Sequence, residues 1–500
     1  MRKAATAAVA VVAMLIPAAR TIQGWISRIG APVTWDYGPA QLAVRVDLYA
    51  RGVALYRDFR VPPYIPLVYG PVIPWLTAPF ARYFGSGPLA ALEAGRIITI
   101  ISTLVICALI FVLARKSNAG AAAATLAALA FMMAPIVQRW GFDYRVDTPA
   151  LACELGGIAA FAAGLSIPAL ALFAITFFIK QGRIAGIAAV VLYCWLSGSR
   201  RRAFTLAVAW LLIVASGITI LAMVFPWYWL NSFAALGVNH YDLGAAILWL
   251  AVLAGGNPAL VVLAALAILR RRANDRLMLC YLGFAIVENF ASSIRWGSNA
   301  YYFIPSLAAV AVVAAGGIEM ILRRARVIRP ALGAAAGAVI ALGLLAGYLV
   351  LAPAIRGMTL AAVIRPSIRC AVILPQPWDS GALARLGAIS GPILTDDAGI
   401  CLVDPRTNLE WIDLMVLGAM RSRGNFDDSQ LLAQIRGRRI AAFALDADGL
   451  GREFRGRPLF WPELRAAIEQ NYRIAAAPGP PYLMLPDAAP SRGAGSQANR

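Results

Sequence analysis

Carboxylates and cations recur in a few short polar islands between long apolar runs of this 500-residue sequence. Asp36 stands in Trp35-Asp36-Tyr37-Gly38 and Asp58 in Tyr56-Arg57-Asp58-Phe59. Asp143 and Asp147 share the stretch from Arg139 to Pro149 with Arg145, and Lys180 and Arg183 bracket Gln181-Gly182. His240 with Asp242, and Arg295, complete the set. Ionisable residues at the ends of apolar spans are costly unless they have a partner or a task. Acids beside bases suit a reaction in which a carboxylate deprotonates a hydroxyl nucleophile while cations hold an anionic leaving group. That chemistry requires no cofactor. His240 is the single histidine and has no His or Cys companion, so no zinc site can be built and no metal ligand set is assigned. A divalent cation on Asp36, Asp143 and Asp147 is the one metal alternative. Asp147 precedes Thr148-Pro149, a common helix start, so it reads either as a reactive carboxylate or as a helix N-cap.

The elements that must position these residues are apolar. Sixty per cent of the chain is hydrophobic and 14% is charged, which excludes an ordinary soluble enzyme, a disordered protein and a small disulfide scaffold. Apolar runs at 4–19, 89–114, 119–137, 148–166, 168–180, 184–198, 203–225, 244–269, 277–294, 301–322 and 331–352 have the lengths of helices crossing a hydrocarbon core about 30 Å thick. The short runs 168–180 and 184–198 form either a helical hairpin or a re-entrant pair. The net charge of +20 belongs to this part: 30 basic and 11 acidic residues precede Ile368, against 15 and 14 after it. Arg2/Lys3, Arg115/Lys116, Arg200 to Arg202, Arg270 to Arg276 and Arg323 to Arg329 fall on one side of the alternating spans. The positive-inside rule makes that side cytoplasmic, with the N-terminus inside and the C-terminal region outside. The charge thus records topology rather than a nucleic-acid surface. Arg2-Lys3, an apolar run and Pro17-Ala18-Ala19 also mimic a secretory signal, an alternative that leaves the next loop outside.

The first outer loop, 20–88, should carry a helix over 40–56, lying along the membrane surface, with Gln41/Arg45 and Asp47/Arg51 at i,i+4. A proline-studded stretch from Pro62 to Pro71 follows as a structured, non-repetitive loop. Residues 1–367 form the membrane domain, 368–487 a small α/β domain outside, and 488–500 a disordered tail. Strands are expected at 371–374, 392–394, 400–403, 440–445 and 482–485, and helices near 380–389, 408–421, 428–437 and 461–471. Cys370 and Cys401, both at expected strand starts, are placed to pair if their Cα atoms approach. Glu154, Glu288 and Glu319, inside spans, should pair with arginines or polar backbone.

Four ordered motifs give the chain a more specific likeness. Trp35-Asp36-Tyr37-Gly38 with Gly52, Tyr56-Arg57-Asp58-Phe59, Pro62-Pro63-Tyr64 and Tyr69-Gly70-Pro71 resembles the first outer loop of bacterial C-type glycosyltransferases related to protein mannosyltransferases and aminoarabinose transferases. Arg145-Val146-Asp147-Thr148-Pro149, Lys180-Gln181 and Arg295-Trp296-Gly297-Ser298-Asn299-Ala300-Tyr301-Tyr302 continue the resemblance. It implies a multi-pass plasma-membrane enzyme of the bacterial cell envelope, moving a sugar from a polyprenyl-phosphate carrier to an outer-face acceptor with inversion. Carried over, it makes Asp36 the catalytic base or acceptor-orienting carboxylate and Asp147 the second acidic residue of the catalytic site; by their own chemistry Arg145, Lys180 and Arg295 are the best holders of the donor phosphate. Asp58, Asp143, Tyr69, His240, Tyr301 and Tyr302 are secondary candidates. The chain departs from the family pattern at Tyr37, where an acid often follows the first aspartate, and at Tyr301 to Pro305, where a glutamate often follows Asn-Tyr. A transporter or flippase of lipid-linked sugars is the competing reading, though the sequence lacks the paired halves with interrupted helices such proteins show.

Overall fold

A computed structural model of the chain describes residues 2–34, 37–237, 241–270, 276–295, 297–328, 343, 380–404, 409–445, 449–454, 457–475 and 481–487. The expected strand 371–374, the tail 488–500, Cys370 and, apart from Gly343, the span 331–352 lie outside the described residues.

The apolar runs fold as helices: α1 (Arg2–Ile26), α2 (Tyr37–Ala50), α3 (Val72–Ala81), α4 (Pro88–Lys116), α5 (Ala121–Met133), α6 (Pro135–Trp140), α7 (Asp147–Ala162), α8 (Ser166–Ile179), α9 (Ala185–Leu196) and α10 (Arg200–Val224). A π-helical turn, Leu230–Ala234, leads into α11 (Ala235–Gly237), followed by α12 (Leu243–Gly256), α13 (Pro258–Leu269), α14 (Arg276–Ser293) and α15 (Ile304–Ile328). Among the described residues, α4, α10 and the stretch Ala300–Arg324 are long and apolar enough to cross a bilayer singly. The expected straight span 244–269 is instead two helices bent by 88°. Pro258 opens α13 there, and its missing N–H and ring block continuation from α12. Alanines line the buried face of α5, and these small side chains let it pack closely against α1, α4 and α15.

The three glutamates inside this bundle are paired, as expected. Glu154 accepts from the Gly186 N–H and the Tyr281 hydroxyl, and Glu288 from Arg183 and the N–H groups opening α9. Glu319 accepts from Arg323 and the Gly120 N–H before α5. Arg96, on α4, is the largest such investment. Its guanidinium donates to the carbonyls of Arg28, Ile29, Ala31 and Val33 and sits 3.7 Å from Asp143, which is itself fully buried. One cation therefore fixes the non-helical segment that ends just before Trp35.

The helix expected over 40–56 ends at Ala50 and is buried rather than laid on a surface. Its Asp47–Arg51 pair forms as expected, at 2.6 Å, but Arg45 turns inward to donate to the carbonyls of Ala54 and Leu55, and Gln41 bonds elsewhere. The amphipathic pattern was real, but its polar face meets protein. After α2, the proline loop packs its backbone on α8. Gly70 donates its N–H to the Ile179 carbonyl, and a Cβ there would lie 1.8 Å from the Phe178 oxygen, so only glycine fits.

The C-terminal part holds a five-stranded mixed sheet in the order β2-β1-β3-β5-β4, from Leu409–Trp411, Ile393–Thr395, Ala442–Leu445, Tyr482–Pro486 and Tyr472–Ile474. The β1 pairs are parallel, and the β5 pairs are antiparallel. Helices Ser380–Gly387, Ser429–Arg436 and Pro462–Asn471 match expectation closely, and Leu414–Arg421 is the later part of the helix expected over 408–421. Two assignments change. Residues 400–403 form a short helix, not a strand: the Asp397 carboxylate turns the chain by accepting from the Gly399 N–H, and Ile400, Cys401 and Leu402 bury against α2 and α4. Residues 409–411, expected at the start of a helix, are the edge strand β2, because Asp413 caps the helix only from Leu414 onward.

Replacing Arg96 with Met should remove the shared donor of four carbonyls and the cation beside Asp143. A loss of about 3–5 kcal/mol is expected, as for breaking a buried ion pair. A wild-type melting temperature and yield for purified Arg96→Met would contradict that role.

Candidate functional site

The site begins with α7. Its helix starts at Asp147, which is a first-turn residue and makes no capping hydrogen bond, so the N-cap alternative is corrected. The carboxylate instead accepts a hydrogen bond from the Lys180 ammonium and lies 3.8 Å from the Arg183 guanidinium. Both cations come from the break between α8 and α9. Gly182 takes a positive φ of 103° there, which lets the chain reverse within Lys180 to Ile184. Arg183 reaches on to Glu288 at 3.3 Å and to the Asn289 side chain at 3.2 Å, both on α14.

An aromatic shelf lies beside this ion network. Gly297 with φ of 90°, a Ser298 hydroxyl bonded to the Ser293 carbonyl, and Asn299 capping the N–H of Ala300 set up a 3-10 turn, Ala300–Phe303. That turn presents Tyr301 and Tyr302, stacked at 4.8 Å, with Trp140 edge-on to Tyr301 at 5.2 Å. The Arg145 guanidinium lies 3.6 Å from the centroid of Tyr301 and 4.8 Å from that of Trp140, and the Lys180 ammonium 4.2 Å from that of Tyr302. Ring faces stabilise these cations without neutralising them.

A cavity of about 490 Å³ opens over this shelf. Tyr69, Arg145, Lys180, Arg295, Tyr301 and Tyr302 all line it, so six residues singled out in the sequence meet at one place. Asp147 stands behind the wall. Asp143 is engaged by Arg96, and Asp58 forms a 2.9 Å pair with Arg60; neither lines the cavity. The Arg60 hydrogen bonds hold the Asp58 carboxyl below its usual range, so it is a poor proton acceptor. Asp36 and His240 lie outside the described residues; Gly38, two positions after Asp36, lines the cavity. Among the described residues, no group of three or more His, Cys, Asp or Glu side chains is placed to hold a metal.

Sequence reasoning gave no site role to several wall residues. Arg183 and Gln181 were visible in the polar break, and Glu288 and Asn289 had no motif to mark them. Gln41 and Asp413 could not have been found locally, because they meet across 372 positions: the Gln41 amide donates to the Asp413 carboxylate at 3.0 Å. Asp413 also accepts from the Val416 N–H, capping its helix. Burial pushes its carboxyl up to about 6, although the bonds from Val416, Gln41 and Met415 pull the other way.

No family profile and no curated protein sequence matches the chain. Its fold does match solved structures. The crystal structure of ArnT from Cupriavidus metallidurans bound to undecaprenyl phosphate superposes with a TM-score of 0.61 at 14% identity, covering 95% of this chain and 97% of that one. The apo form of ArnT gives 0.60 at 13% identity over 93% and 97%. The archaeal oligosaccharyltransferase AglB from Archaeoglobus fulgidus, in complex with an inhibitory peptide and a dolichol-phosphate, gives 0.51 at 13% identity over 88% of this chain and 69% of that one. The chain thus shares its fold with ArnT over nearly the whole of both chains, in keeping with the resemblance carried by the four motifs.

The buried carboxyl of Asp413 sets a pH signature. Its folded pKa exceeds the ordinary 3.8, so the native state binds more protons than the unfolded chain between about 4 and 6, and stability falls as pH rises through that window. Asp413→Asn should remove this slope, gaining up to about 3 kcal/mol relative to wild type between pH 4 and 7.5. Melting curves whose difference stays constant with pH would contradict it.

Proposed function

We propose, from the fold shared with these transferases, that the protein moves a sugar from a polyprenyl-phosphate carrier to an acceptor hydroxyl at the outer face of the bacterial plasma membrane. The cavity carries this reading: three cations, Arg145, Lys180 and Arg295, line one space against an aromatic shelf. Arg binds a phosphate through paired N–H groups, and Lys acts as a point charge. A sugar phosphate ester already holds a good leaving group. The protein therefore needs to hold the phosphate and deprotonate the attacking hydroxyl.

In this reading Asp36 takes the proton from the acceptor. The acceptor oxygen bonds to the anomeric carbon as its bond to the phosphate oxygen breaks, and polyprenyl phosphate departs toward the cations. Attack from the opposite face inverts the configuration. Asp147 acts through Lys180, whose ammonium it fixes. The cations supply the positive charge the leaving phosphate needs, so no divalent ion is invoked. In this reading the basic clusters put the N-terminus in the cytoplasm, and an odd number of spans puts the C-terminal unit, residues 368–487, on the outer side. The acceptor is a cell-envelope glycan, lipid or protein, and the transferred unit a hexose or pentose.

Asp36→Asn, folded as wild type, should abolish sugar transfer from a polyprenyl-phosphate donor in vesicles while keeping donor binding. Lys180→Met and Arg145→Met should each weaken undecaprenyl phosphate binding about 10- to 100-fold, the worth of a charged hydrogen bond. Wild-type transfer by Asp36→Asn would remove it from the base role.

A further inference from the structure

The cavity wall has a second part that the donor phosphate does not use. Gln41 from α2 and Asp413, Met415 and Val416 from the C-terminal unit line the same space as the cations. Asp413 is 4% exposed, yet the groups that act on its carboxylate are all neutral N–H donors: the Gln41 amide and the backbone of Val416 and Met415. A carboxylate carries about four lone-pair positions, so these three bonds leave it able to accept another. The contact is held in place from both sides. The Asp413 N–H donates to the Tyr64 carbonyl at 3.3 Å, and the neighbouring helix Ile400–Val403 packs on α2 and α4.

This surface selects by chemistry. A buried carboxylate repels a second anion and rewards an O–H donor, because leaving it short of partners in a low dielectric is costly. Gln41 offers an amide that both donates and accepts, and Met415 and Val416 offer apolar contact for the C–H face of a ring. We infer that the wall formed by Gln41, Asp413, Met415 and Val416 is the acceptor site, and that it takes the hydroxyl-bearing ring of an uncharged sugar, with Asp413 as its specificity-determining residue. The C-terminal unit is then part of the site rather than a cover. The inference rests on the proposed donor reading, which assigns the cations to the phosphate.

The test uses full-length protein in lipid nanodiscs and two kinds of probe. The methyl pyranosides of glucose, mannose, galactose and arabinose are titrated by saturation-transfer NMR at pH 7.5, and undecaprenyl phosphate binding is measured on the same samples. Wild type should bind at least one glycoside. Asp413→Asn, which keeps an acceptor oxygen for the Val416 N–H, should weaken that binding about 10-fold or more and leave undecaprenyl phosphate binding unchanged. Val416→Trp, which fills the wall without touching the carboxylate, should block the glycoside alone and serves if Asp413→Asn folds poorly. Glycoside binding that survives both substitutions, or a wild type that binds none of the four, overturns the acceptor site. Failure of wild type to bind undecaprenyl phosphate would instead overturn the donor reading, so the two failures are distinguishable.

Discussion

Burial of the Asp147 carboxylate between Lys180 and Arg183 is the interaction on which the rest of the site depends. Charges withdrawn from water persist only when paired and hydrogen-bonded, and each partner here recruits the next. Arg183 reaches Glu288 and Asn289 on α14; Glu288 accepts from the N–H groups of Ile184 and Ala185 at the start of α9; Asn289 donates to Ser306 on α15. A single set of ions thus fixes where α7, α9, α14 and α15 stand relative to one another. It also fixes Lys180 at the cavity edge over Tyr302. Removing the central carboxylate would take away the ion pair that positions Lys180 and leave Arg183 to Glu288, and the edge of the shelf would shift with Lys180.

The loops are held by the same logic applied to backbone. Arg96 gathers carbonyls from the segment before Trp35, and Asn231, fully buried in the π turn, accepts from the Leu67 N–H and donates to the Arg57 and Trp227 carbonyls. Gly70 lets the proline loop touch α8 directly. These contacts make a rigid wall from segments with no regular hydrogen-bond ladder, as a cavity lined by loops requires.

Much of this was legible in the sequence because membrane chemistry makes polar residues conspicuous. Arg145, Lys180, Arg295, Tyr69, Tyr301 and Tyr302 stood out against apolar surroundings, and the structure brings them to one cavity. The stretch 400–403 misled because Ile-Cys-Leu-Val favours a strand locally, while burial against α2 and α4 and the Asp397 turn decide for helix. The stretch 409–411 misled because its place beside β1 is set by tertiary pairing. The span 244–269 was continuous in hydropathy, and its 88° bend comes from Pro258, which a hydropathy window does not weigh. Gln41 and Asp413 were invisible because a contact across 372 positions leaves no local pattern.

We propose that the cations over the aromatic shelf hold the phosphate of a lipid-linked sugar donor. An electron cryomicroscopy structure of the wild-type protein in nanodiscs with undecaprenyl phosphate tests it most directly. Phosphate density is expected within hydrogen-bonding distance of Arg145 and Lys180, with Arg295 turned toward it and the Gln41–Asp413 wall left open. Phosphate density bound elsewhere, with the shelf empty, would contradict it.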